Sequence, residues 1–88
     1  MDPASRMAAE RLAPLLPAAD RPMMAKLLTY LNRNSLWLVR FHGTGEELDC
    51  EFGNDCERLA LSLAELRQMA AELGAGRRID WSVYRRLK

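Results

Sequence analysis

The apolar residues of this 88-residue chain change period twice, dividing it into a helical first third, an extended middle and a largely helical remainder. Met24, Leu27, Leu28 and Leu31 recur at i, i+3, i+4 and i+7, the spacing of one helix face. The pattern predicts that this helix starts at a cap on Asp20, with Pro22 in its first turn. It should stop in "NRNS" (32 to 35), whose side chains compete with the helix backbone. Ahead of it, Asp2 and Pro3 open a shorter helix carrying Met7, Leu12, Leu15 and Leu16, and Pro14 should end or kink that helix. "APLLPAAD" (13 to 20) reads as a connector.

At "SLWLVRFHG" the period shortens to two. Trp37, Val39 and Phe41 alternate with Leu36, Leu38, Arg40 and His42, and the aromatic and β-branched content predicts a strand. Apolar residues on both faces at one end suit a central strand covered on two sides. "GTGE" (43 to 46) is a turn. In "LDCEF", Leu48, Cys50 and Phe52 oppose Asp49 and Glu51, which marks a half-buried strand with one wet face. "GND" (53 to 55) is a second hairpin turn, and "CERLAL" (56 to 61) a third strand with Leu59 and Leu61 inward.

Ser62 and Glu65 fit a capping box, followed by a helix striped with Leu63, Leu66, Met69, Ala70 and Leu73 and closed by Gly74. After the loop "GAGRRIDW", Asp80 or Ser82 is expected to cap a last turn or two of helix through "VYRRLK". The fold class that follows is α+β: N-terminal helices, a three-stranded antiparallel meander, an amphipathic helix on the sheet and a short C-terminal helix. One domain spans 1–88, with residues 1–19 as helix and connector and 20–88 as the core. There is no internal repeat.

Composition narrows the class. With 49% hydrophobic and 28% charged residues, the chain has the balance of a soluble globular domain. It has no apolar run near the ~20 residues of a membrane span, and no secretion-signal pattern at its start. A cytoplasmic protein is expected, and its two cysteines are expected to be free thiols. Eleven arginines against two lysines suggest a bacterial or phage source.

The net charge of +1 hides a separation. Six acids and no base lie between Gly43 and Glu57. Arg77, Arg78, Arg85, Arg86 and Lys88 follow near the end against Asp80 alone. Such an asymmetry favours charge-steered association, self-association included.

Candidate chemistry is sparse. Cys50 and Cys56 face each other in one hairpin register, whereas in another Cys56 faces Phe52. Neither has the CxxC spacing of a redox pair at a helix start. His42 is the single histidine, so a zinc site would lack its usual ligands, and no calcium loop is present. No nucleophile elbow, P-loop, HExxH or dinucleotide motif occurs. No catalytic residue, metal or cofactor is assigned.

Two segments remain as binding candidates. One is the acidic hairpin Glu46, Glu47, Asp49, Glu51 and Asp55, suited to docking a basic partner. The other is Arg77, Arg78, Trp81, Tyr84, Arg85 and Arg86, where aromatic and arginine side chains of the hot-spot type cluster. The expected function is a non-enzymatic protein-binding module, such as a small regulator, inhibitor or immunity protein. The alternative is a nucleic-acid-binding regulator using the basic tail, and a homodimer would fit either. Helix, three antiparallel strands, helix is also the order of double-stranded RNA-binding domains. Glu65 at the start of the last helix lacks the basic grip on phosphates such domains need, so the chain is not assigned to them.

Overall fold

The computed structural model describes residues 3–87, the last three through their backbone alone. Helix α1 (Pro3–Leu12) stops where Pro14 forbids its continuation, and two 3-10 turns, Ala13–Leu15 and Ala18–Asp20, lead into α2 (Arg21–Arg33). Strands β1 (Trp37–His42), β2 (Asp49–Gly53) and β3 (Arg58–Ser62) follow as an antiparallel meander, then α3 (Leu63–Gly74). A 3-10 turn at Trp81–Val83 leads to a short strand, β4 (Arg85–Leu87), which pairs antiparallel with β3. The sheet order is therefore β1-β2-β3-β4. No described helix is long and apolar enough to cross a membrane.

The α+β architecture has one core. Cys50 and Phe52 from β2 and Leu59 and Leu61 from β3 meet Met24, Leu27, Leu28 and Leu31 of α2 and Leu63, Leu66 and Met69 of α3. Leu12 is fully buried with them, so α1 contributes to the same core. The side chains of buried Ser5 and Asn32 hydrogen-bond at 2.7 Å, tying α1 to α2. All three helices cover one sheet face and leave Arg40, Glu51 and Arg58 on the other.

Both long helices end in the same way. The N–H of Leu36 donates to the Leu31 carbonyl (2.9 Å) and that of Ser35 to Asn32 (3.0 Å). In α3 the corresponding bonds run from Arg77 to Glu72 (2.9 Å) and from Gly76 to Leu73 (3.0 Å). This closure needs one left-handed residue, and it is Ser35 (φ 60°) in α2 and Gly76 (φ 74°) in α3. Gly76 thus has the role that the sequence suggested for Gly74. The capping box of α3 forms as expected, with Glu65 N–H on Ser62 Oγ (3.2 Å) and Ser62 N–H on Glu65 Oε1 (3.0 Å).

Four expectations are corrected. Strand β1 is an edge strand, not a central one, because the meander runs outward from β3 and no described strand pairs beyond β1. A bulge between Leu38 and Arg40 shifts its register, so Phe41 shares the helix side with Leu38 and not with Trp37. Asp20 makes no side-chain cap on α2, since its carboxylate is held by Arg67. The third strand starts at Arg58. Residues 54–57 form its loop, in which Asn54 Oδ1 accepts from the N–H groups of Cys56 (2.8 Å) and Glu57 (3.0 Å).

The C-terminal segment also departs from its pattern. Asp80 caps the turn by accepting from Ser82 N–H (3.1 Å) and Oγ (2.6 Å). The chain then extends at Tyr84, whose ring is buried, and Arg85–Leu87 complete the β3 ladder instead of continuing a helix. The proposed cap at Asp2 and the base at Lys88 lie outside the described residues.

Candidate protein-binding groove

The two predicted binding segments are placed very differently from a pair of exposed patches. Glu46 and Glu47 lie in the 3-10 turn before β2, and Asp55 in the loop after it, so they sit at opposite ends of the strand. Asp49 and Glu51 lie on the open sheet face. Glu51 bridges Arg40 Nε (2.9 Å) and Arg58 Nη1 (3.5 Å), and Asp49 lies 3.7 Å from His42 Nε2. Much of this hairpin charge is therefore balanced within the molecule, and the five acids do not form one surface.

Glu46 belongs to a different contact. Arg67 on α3 grips Asp20 through Nε (3.1 Å) and Nη2 (2.7 Å), and Glu46 through Nη1 and Nη2 (2.6 Å each). One guanidinium thus joins α3 to the start of α2 and to the β1–β2 connection. Its hydrogen bonds hold both carboxyls below their ordinary pKa values.

In the C-terminal segment the two aromatic residues separate. The Tyr84 hydroxyl reaches Glu72 Oε1 (3.3 Å) from within the core, and burial, with the nearby Glu72 charge, pushes its pKa up to about 12. Trp81 is half-buried, its ring stacked on Tyr30 at 6.2 Å between centroids and 14° between planes. Arg77 and Arg78 are exposed; the side chains of Arg85 and Arg86 lie outside what the structure describes. Tyr84 is thus a core residue and not half of an exposed anchor, because the backbone is extended where a shared helix face was expected.

Tyr30 belongs to a groove of about 530 Å³ between α2 and α3. Met23, Leu27 and Tyr30 form one wall, Ala70 and Leu73 the other, and Lys26 stands at the mouth. Helix α2 carries Arg21, Lys26 and Arg33 and no acid. Arg77 and Arg78 follow the far end of α3. Among the acids nearby, Glu72 approaches Tyr84, and Asp20 is engaged by Arg67. The result is an apolar floor with one base, Lys26, in its lining; Arg21 is turned away, its Nε donating to the Ala13 carbonyl (3.0 Å).

Sequence reading missed the groove residues Met23 and Tyr30. The signal was a second apolar line, Met23, Leu27 and Tyr30, beside the core stripe. Together they make a wider apolar arc than one packing neighbour fills.

Neither expected register forms: Cys56 faces neither Cys50 nor Phe52, which is paired with Leu59. Cys50 is opposed by Phe41 and Leu61, while Cys56 is exposed in the 54–57 loop. Burial, and then the charge of Asp49, pushes the Cys50 thiol up to about 12. Among the described residues no three His, Cys, Asp or Glu side chains group as a metal ion would require.

No protein-family model, curated protein or solved structure matches the chain, so the reading of its surface rests on its own geometry.

Proposed function

We propose that this chain is a non-enzymatic protein-binding module whose α2–α3 groove receives an acidic amphipathic helix of a partner protein. The observation that carries the reading is an apolar groove with Lys26 in its lining, on a helix that bears bases and no acid. Helix-in-groove recognition sets apolar side chains at i, i+3, i+4 and i+7 into such a floor. Acidic residues flanking that stripe would meet Lys26.

The test is fluorescence anisotropy with two designed helical peptides that share one leucine stripe, flanked by glutamates in one and lysines in the other. The glutamate peptide should bind more tightly, and added salt should weaken it. Tyr30→Ala should cost fivefold or more in affinity, on the scale of ~1 kcal/mol for an interface anchor. Lys26→Glu should cost roughly two- to tenfold, as an exposed charge contact does. Equal binding of both peptides, or no loss in Tyr30→Ala, contradicts the proposal. Tight, salt-dependent binding of mixed-sequence DNA or RNA by the same face would favour nucleic acid instead.

A further inference from the structure

A second surface lies away from the groove, at the open edge of β1. Met7 is 63% exposed, Trp37 46% and Val39 40%, and the other large apolar side chain exposed among the described residues is Val83. Met7, Trp37 and Leu38 line one pocket of about 220 Å³ between α1 and β1. Leu38 and Phe41 are only half-buried on the helix side of the strand, where Arg11 lies 5.2 Å from the Phe41 ring centroid. A row of apolar side chains therefore runs beside a strand whose outer flank no described strand pairs.

The charges along this edge select the occupant. Strand β1 bears Arg40 and His42 and no acid, although His42 Nε2 lies 3.7 Å from Asp49 Oδ2 on β2. The Arg40 side chain is 71% exposed, although its Nε meets Glu51. A second copy paired antiparallel through β1 would bring the two exposed Arg40 side chains onto the same face near each other, and like charges across strands are destabilising. The bulge at Leu38–Arg40 would further interrupt a two-fold ladder. A strand with acids at these positions avoids the like-charge contact and meets one bulge, where a two-fold pair would set two against each other.

We infer that the β1 edge accepts an extended segment of a partner protein in which apolar and acidic residues alternate. Its backbone continues the sheet beyond β1. Its apolar side chains lie along Met7, Leu38 and Phe41, and its acids beside Arg40 and His42 on the open face. Period-two alternation is what a segment with one apolar and one charged neighbour row requires.

The test uses the full chain and two ten-residue peptides alternating valine or threonine with glutamate or with lysine. Binding is followed by amide chemical shifts and hydrogen exchange. The glutamate peptide should shift and protect amides of 37–42 and bind about tenfold more tightly than its lysine counterpart. Arg40→Glu, at an exposed side chain whose replacement circular dichroism can verify as folded, should invert that preference. Equal affinities, unchanged β1 amides up to about 1 mM peptide, or a dimer of the free protein joined through β1 each overturn the inference.

Discussion

Replacing Tyr84 and Trp81 in turn separates two residues that the sequence presents as one anchor. Tyr84 is 4% exposed, so Tyr84→Ala removes a ring from the core and leaves a cavity, a loss of ~3–5 kcal/mol for a buried aromatic. A domain of this length has only ~4–13 kcal/mol in all. Trp81 is half-buried, and Trp81→Ala forfeits part of its burial and the stack on Tyr30, together ~1–2 kcal/mol. At ~4–8 °C per kcal/mol for a domain of this size, Tyr84→Ala should lower Tm by at least ~12 °C, two to three times the effect of Trp81→Ala. Tyr84→Phe keeps the ring and loses only the bond to Glu72, so it should cost ~1 kcal/mol or less. Thermal unfolding followed by far-UV circular dichroism measures all three. If Trp81→Ala proves as damaging as Tyr84→Ala, the placement of Tyr84 in the core is wrong.

Other outcomes follow from the same geometry. Gly43 (φ 81°) and Gly45 (φ 56°) both favour glycine, but a Cβ on Gly43 would overlap the Glu47 carbonyl while one on Gly45 meets open space. Urea unfolding should therefore show Gly45→Ala losing ~1–2 kcal/mol and Gly43→Ala a further ~1–3 kcal/mol. The carboxyls of Asp20 and Glu46 are lowered from 3.8 and 4.5 by Arg67. Their contribution to stability is complete above those ordinary values and lost as pH falls through the lowered ones. The stability advantage over Arg67→Gln should accordingly be full near neutrality and shrink below about pH 4; a gap independent of pH would remove Arg67 as its source. In thiol titration with DTNB, Cys56 should react in the native state and Cys50 only on unfolding, so two equally fast thiols would contradict the burial of Cys50.

Where local rules dominate, the sequence was legible. The stripe of α2, the capping box of α3 and the alternation at Leu48, Cys50 and Phe52 depend on neighbours within one turn or one pleat, and the structure shows each of them. The edge position of β1 was not legible, because two apolar faces can mean a covered strand or an uncovered one. The bulge beside Val39 inserts a residue with no distinctive side chain and so inverts the face assigned to Phe41. Asp20 has the composition of a cap, but Arg67, far along the chain, outcompetes the local N–H groups for its carboxylate. Burial of Tyr84 likewise converts an expected helix into a strand. The groove required knowing that α2 and α3 lie side by side, although the second apolar line of α2 hinted at an unfilled neighbour.

The most direct test of the central claim is an amide chemical-shift map of the ¹⁵N-labelled chain saturated with the glutamate-flanked helical peptide. The account predicts that the largest shifts fall on residues 22–30 of α2 and 70–74 of α3, with the indole signal of Trp81 moving alongside Tyr30. Shifts concentrated instead on the open sheet face around Asp49 and Glu51, with α2 and α3 unmoved, would contradict it.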